Sequence, residues 1–314
     1  MIRIAVLDDY QGIAADFADW NRLAADVEFF SDHLEELDAL VDRLTPFEVV
    51  VAMRERTPFT TELLAGLPNL RLLVTTGMRN ASIDLEAAAE AGILVCGTPS
   101  SGFATAELSF AFIQVLARGM LTEIEGVRSG RWQVGIGRDL RGSRLGVVGL
   151  GRVGADVARF GQAFGMDVVG WSPNLTDDRC HELGVTHVDK EELLRTSDFV
   201  TLHLKLGERS VGVISKPDLD LMKPAAYLIN TSRGPLVDTD ALIHAIDSGS
   251  IAGAGLDVFE PEPLPLDHRL RSHPRILCTP HIGYVTAQTY EVFYQGVVED
   301  IAAWMEGEPI RVLT

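Results

Sequence analysis

RLGVVGLGRVGADVARFGQAF, residues 144–164, is the stretch that decides the fold. It opens on an apolar run of strand type, RLGVV, and closes on Val153, Val157, Phe160 and Phe164 at helical spacing, up to a capping glycine at Gly165. Between the two runs, Gly149, Gly151 and Gly154 spell G-x-G-x-x-G. Alone that spacing is weak; placed between a strand and a helix, it predicts a loop that cradles a dinucleotide pyrophosphate. The first glycine permits the tight turn, the second lets the phosphates approach the backbone, and the third lets helix and strand pack closely. The helix start, Arg152 and Val153, then faces the phosphate charge.

The next strand, MDVVGW (166–171), tests which dinucleotide fits. An NAD site of this kind carries Asp or Glu at the end of that strand, on the ribose 2′-hydroxyl. Here Ser172 stands there, and Asp167 begins the strand, at the opposite edge of the sheet. Ser172 and Asn174 can hydrogen-bond either form, so the absent acid permits NADP and does not exclude NAD. An Arg that would demand NADP is missing, with Pro173 in its place; Lys205, after the following strand, is either a charge for the 2′-phosphate or, more simply, a solvated surface residue.

Working outward, apolar runs alternate with helical segments along most of the chain, as in a parallel α/β sheet. IRIAVL, VEFF, EVVVAM, LRLLVTT and ILVC read as strands of a first unit, with a helix over Leu34–Leu44 ended by Pro46. RLGVVGLG, MDVVGW, SDFVTLHL, AAYLIN, AGAGLDVF and RILCTP read as strands of a second, with Asp189 and Glu192 as a capping box. Residues 103–120, FATAELSFAFIQVLARGM, are apolar nearly all round, which fits a helix buried between subunits of a homodimer or one buried within a single chain. A long helical pattern over residues 286–307 follows the last strand, and order alone does not say onto which unit it folds.

A chain of 314 residues, 46% of them hydrophobic, is long enough for two ordinary domains. Its formal charge of −18 opposes nucleic acid or an anionic membrane as partner, and no stretch is apolar for long enough to span a bilayer. The N-terminal MIRIAVLDDY enters a strand without the apolar segment of a signal peptide. Cys96, Cys180 and Cys278 are too scattered for a disulfide framework or a zinc site, which fits a reducing cytoplasm. His181 and His187 are separated by a turn and short strand, and no H-E-x-x-H occurs, so no metal is expected.

Ligands of open α/β sheets lie beyond the carboxyl ends of the strands. Four strand ends there carry distinctive residues: Gly77-Met78-Arg79-Asn80, Thr231-Ser232-Arg233-Gly234, Glu260-Pro261-Glu262-Pro263 and His281-Ile282-Gly283. Arg233 suits a carboxylate, which a planar guanidinium grips through two parallel hydrogen bonds. His281 suits a proton donor, with a neighbouring carboxylate favouring its charged form; either Glu262 or Glu260 can be that neighbour. Each residue alone is ambiguous, and their joint appearance downstream of a dinucleotide loop favours chemistry.

GLGRVG, NTSRG, DVFEPEP and TPHIG, in this order and at this spacing, make nearly the whole chain similar to the D-isomer-specific 2-hydroxyacid dehydrogenase family, which includes phosphoglycerate dehydrogenases and glyoxylate/hydroxypyruvate reductases. The resemblance implies two doubly wound parallel-sheet α/β domains. A Rossmann-type nucleotide domain, 100–284, is inserted into a flavodoxin-like substrate domain, 1–99 and 285–314, onto which the last helix returns. It implies reduction of a small anionic 2-oxoacid to a D-2-hydroxyacid with NAD(P)H. Arg233 would bind the substrate carboxylate and carbonyl, His281 would protonate the carbonyl oxygen, and Glu262 would support His281. Glu262 is preferred to Glu260 because the family's acid stands directly before Pro, at this distance from DVF. Asp257 and Thr231 match positions near the nicotinamide, Thr105 one near the phosphates, and the helix of residues 103–120 one that embraces a second subunit.

Two departures stand out. Gly77-Met78-Arg79 replaces a loop that usually has two close glycines, and with Arg54 of AMRERT, Arg79 would suit a substrate larger or more anionic than glyoxylate. Ser172 replaces the ribose-binding acid. Corepressors that sense NAD(H) share this fold, so a non-catalytic role stands as the alternative; formate dehydrogenases are less similar, carrying Gln where Glu262 stands.

Overall fold

Short apolar runs separated by helices pair most readily as parallel strands through crossovers. The computed structural model, which describes residues 1–314, has two sheets built in that way, of five and seven strands. Residues Met1–Ser101 and Val285–Thr314 form one unit, and Gly102–Tyr284 form the other as an insertion in the chain. No helix is long and apolar enough to cross a membrane.

In the first unit, β1 (Arg3–Val6), β2 (Asp26–Phe29), β3 (Val49–Ala52), β4 (Leu72–Thr75) and β5 (Leu94–Gly97) are parallel, in the order β2-β1-β3-β4-β5. Every residue of β3 and β4 is buried, as continuous Val/Leu runs covered on both faces require. Ala5, Val50, Leu73 and Val95 share one core with Leu44, Phe59 and Leu63. Helix Ala287–Met305 packs on β4 and β5 and buries Tyr290, Phe293 and Tyr294, with the Phe17 ring edge-on to Tyr290 at 5.9 Å. The tail beyond it pairs with the edge strand: Gly97 N donates to Arg311 O and Leu313 N to Val95 O, at 3.0 and 2.8 Å. The helix expected from Leu34 begins only at Leu37, because Leu34 reaches the core from the extended segment before it.

In the second unit, β6 (Arg144–Val148), β7 (Asp167–Trp171), β8 (Thr186–His187), β9 (Phe199–Leu202), β10 (Tyr227–Asn230), β11 (Gly253–Leu256) and β12 (Ile276–Cys278) are parallel, in the order β12-β11-β10-β9-β6-β7-β8. Successive residues point to opposite faces, so Val148 and Leu228 enter one core while Val147 and Ile229 enter the other. The order reverses between β6 and β9, where ligands of such sheets sit. Asp189 caps helix Lys190–Thr196 by accepting from Glu192 N at 2.7 Å, whereas the full reciprocal box occurs at Ser215 and Asp218.

The apolar stretch 103–120 is not one helix. Ala104–Ala117 is helical and buries Phe110, Phe112, Ile113 and Leu116 inside its own unit; Gly119, at φ 58°, then breaks the direction, and a second helix runs Met120–Arg128. The sequence pattern ran on because the apolar residues continue across the break. Beyond it, Ile124, Val127, Trp132 and Ile136 are exposed.

Candidate active site

The glycine loop fits a dinucleotide position by position. Gly149 sits at φ 102°, in the region glycine alone takes easily, and a Cβ there would lie 2.8 Å from His203 O. A Cβ on Gly154 would lie 1.9 Å from Gly149 O, so the helix can approach the strand only because that position has no side chain. A Cβ on Gly151 would meet nothing within 4 Å, which leaves the loop open where phosphates would approach. Helix Arg152–Ala163 starts here, so its first N–H groups lack helical acceptors. The Arg152 guanidinium lies over Gly102, where a Cβ would come within 2.0 Å of Nη1. His203, which directly follows β9 beneath this loop, was not singled out in the sequence; burial pushes its pKa down to about 3, and its Nε2 meets Thr201 Oγ1 at 2.9 Å.

At the same edge of the seven-stranded sheet, the three loops after β10, β11 and β12 carry the predicted residues. Asn230 shapes the first: its Nδ2 donates to Arg233 O at 2.8 Å and its Oδ1 accepts Ser232 N at 3.1 Å. Arg233 donates from Nη1 to Ser232 O at 2.7 Å. The next residue must be glycine, because a Cβ on Gly234 would come within 2.4 Å of the Phe259 carbonyl. That close approach brings the Arg233 loop against the acid loop. In the acid loop, Glu262 folds back, its Oε1 accepting Phe259 N at 2.7 Å while its Oε2 meets His281 Nδ1 at 2.6 Å. Glu262, rather than Glu260, is the partner of His281.

His281 itself holds φ 52°, a strained conformation for a residue with a side chain. Asp257, fully buried, keeps it there. Its Oδ1 accepts Ile282 N at 2.8 Å and the Thr279 hydroxyl, and its Oδ2 accepts Gly283 N at 2.7 Å. Burial pushes the Asp257 carboxyl up, opposed by these bonds, which favour the carboxylate. The resemblance matches Asp257 to a position near the nicotinamide, and in the structure both its oxygens bind the histidine loop. Thr105 Oγ1 donates to Gly283 O at 3.0 Å, and Thr231 Oγ1 lies 2.6 Å from Ser109 Oγ, so both threonines fasten the buried helix Ala104–Ala117 to the site loops. Ser172 follows β7 directly, and Asp167 is taken by Arg144 at the far edge, 2.6 Å away.

In the five-stranded unit, Arg54 and the Gly77–Arg79 loop follow β3 and β4. Arg54, at φ 53°, donates from Nη1 to Thr76 O at 2.7 Å and Arg79 O at 3.2 Å, and from Nη2 to Glu55 at 3.3 Å. Its guanidinium therefore braces the loop, packed so tightly that a Cβ on Gly77 would lie 2.1 Å from Nη1. Met78 is 45% exposed, Arg79 is exposed, and their N–H groups find no acceptor in the chain. Arg56, two residues from Arg54 in the same AMRERT segment, went unremarked in the sequence; its Nη1 donates to Asp8 O at 2.5 Å and its guanidinium lies 4.4 Å from the Tyr10 ring centre.

Comparisons with known proteins show the family. Residues 110–283 match the family model described as "D-isomer specific 2-hydroxyacid dehydrogenase, NAD binding domain". A glyoxylate reductase of Thermococcus litoralis is 38% identical over 88% of this chain and 83% of that protein. A hydroxypyruvate reductase of Thermotoga maritima is 34% identical over 84% of this chain and 86% of that protein. Among solved structures, a phosphoglycerate oxidoreductase of Vibrio cholerae is 37% identical and superposes with a TM-score of 0.93, over 98% of this chain and 100% of that one. The chain belongs to the D-isomer-specific 2-hydroxyacid dehydrogenase family.

Proposed function

We propose that this chain reduces a 2-oxoacid to the D-2-hydroxyacid with NAD(P)H, and that Arg233, Glu262 and His281 carry the chemistry. The observation that carries the reading is the 2.6 Å contact between Glu262 Oε2 and His281 Nδ1, at the same sheet edge as the glycine loop and Arg233. When bound, the reduced nicotinamide supplies a hydride to the carbonyl carbon. Since Nδ1 of His281 is committed to Glu262, Nε2 is the nitrogen left to give a proton to the carbonyl oxygen. Arg233 holds the substrate carboxylate and polarises the carbonyl, through donors that Lys could not arrange in parallel. Glu262 orients the ring and balances its charge. Gly149, Gly151, Arg152, Val153, Gly154 and Ser172 hold the dinucleotide, with Thr105, Thr231 and Asp257 fixing the loops around it. A non-catalytic NAD(H) sensor is not favoured, because the relatives are named reductases and the acid–histidine pair is assembled.

Arg79, exposed and without an ion-pair partner, sets the substrate class: a 2-oxoacid with a further anionic group, gripped at its near end by the N–H groups of Met78 and Arg79. Arg54 shapes that loop. Kinetics with glyoxylate and with a longer, doubly anionic 2-oxoacid test this reading. Arg79→Ala should raise KM selectively for the doubly anionic substrate; an unchanged ratio would contradict it.

The chain acts as a homodimer in this proposal. Trp132 and Ile136, 80% and 102% exposed, with Ile124 and Val127 make an apolar surface on the segment after Gly119, which a second copy would cover. Sedimentation of the protein and of Trp132→Glu tests it. A reducing cytoplasm fits the free cysteines, of which burial pushes Cys96 and Cys278 up to about 11.

A further inference from the structure

The strand end that lacks an acid is flanked by an arginine from the following helix. We infer that Arg179, with Ser172, receives the 2′-phosphate of NADP(H), so that the chain prefers NADPH to NADH. This rests on the dinucleotide reading above and deepens it.

The backbone places both residues on one turn of the glycine loop. Gly149 N donates to Trp171 O at 2.8 Å, so Ser172 follows the very residue to which the loop is tied. Leu175 N donates to Ser172 O at 3.1 Å and folds the chain back, and Thr176 Oγ1 caps Arg179 N at 3.3 Å. Arg179 then reaches the loop itself, its Nε donating to Leu150 O, inside the G-x-G, at 3.4 Å. The Leu150 side chain lies against β7, where a Cβ on Gly170 would come within 2.5 Å of it. Ser172 and Arg179 thus border the same end of the loop, the end beside β7 where the adenosine ribose binds in sheets of this order.

The charges around Arg179 leave it available. Its Nη1 pairs with Glu182 at 3.1 Å, but the two side chains are 42% and 65% exposed, and an exposed pair of this kind contributes little and exchanges readily. Nη2 makes no hydrogen bond in the chain. Asp177 is turned to His187, 2.5 Å away, and Asp167 is held by Arg144 at the other edge of the sheet. The turn itself, Ser172-Pro173-Asn174-Leu175, carries no carboxylate to repel a phosphate. A 2′-hydroxyl would gain little from a guanidinium; a 2′-phosphate gains charge-assisted hydrogen bonds.

Fluorescence titration with NADPH and NADH, without substrate, tests this as binding rather than activity. Wild type should bind NADPH more tightly. Arg179→Ala should weaken NADPH by about ten- to a hundredfold and leave NADH nearly unchanged, which also shows that the variant folds. Glu182→Gln, which removes the competing carboxylate, should tighten NADPH. Equal affinities in wild type, or an unchanged ratio in Arg179→Ala, would overturn the inference while leaving the dinucleotide reading intact. Binding of neither nucleotide would overturn both.

Discussion

Asp257 holds Gly283 by its backbone N–H, at 2.7 Å, across the loop that carries His281. With the bond to Ile282, this clamp fixes the two residues after the histidine and so offsets the strain of its left-handed backbone. Asp257→Asn turns one acceptor oxygen into a donor facing donors. It should cost about 1–3 kcal/mol of stability and, by loosening His281, lower kcat by about a hundredfold. Nucleotide affinity should change little. Denaturant unfolding, steady-state kinetics and nucleotide titration check the three effects together.

The loop glycines should separate folding from binding. Gly154→Ala places a Cβ 1.9 Å from Gly149 O, so helix and strand must part and the variant should be destabilised by about 1–3 kcal/mol. Gly151→Ala meets nothing within 4 Å and should melt like wild type, yet weaken the dinucleotide by about tenfold or more, because its methyl occupies the phosphate approach. Melting curves and nucleotide titrations on the two variants check the contrast; loss of stability in Gly151→Ala would contradict it.

Asp300, fully buried on the last helix, gives a pH dependence of stability. Burial raises its carboxyl from 3.8 to about 6, although Arg311 Nε donates to it at 2.8 Å. A raised carboxyl means that the folded chain keeps a proton the unfolded chain releases. The contribution is fully present below 3.8 and is lost as pH rises through about 6, by up to roughly 3 kcal/mol. Asp300→Asn, which cannot titrate, should flatten the change in urea midpoint between pH 4 and pH 7. An equal slope in both proteins would contradict this.

Much of the fold was legible because its signals are local. The strands of both sheets are short apolar runs with breakers between them, and the glycine spacing gains its meaning from the strand and helix that flank it. The break at Gly119 was hidden because Met120 prolongs the apolar pattern past it, although the first helix turns inward and the second outward. At the site, single residues on strand ends could be named, but their partners depend on loop curvature that spacing does not encode. Glu262 reaches His281 only because its other oxygen folds back to Phe259 N, and the hold of Asp257 on Ile282 and Gly283 depends on the same curvature. Arg179 is not legible in the sequence as a neighbour of the glycine loop, because its approach to Leu150 needs the helix that follows the turn.

The central claim is that His281, aimed by Glu262, delivers the proton in 2-oxoacid reduction. The most direct test follows loss of reduced-nicotinamide absorbance with glyoxylate, hydroxypyruvate and larger 2-oxoacids, with NADPH and NADH in parallel, for wild type and His281→Gln. Turnover by wild type should fall by about 10²- to 10⁴-fold in the variant, with nucleotide affinity retained. Nucleotide binding without turnover of any 2-oxoacid, or equal turnover by His281→Gln, would contradict the claim.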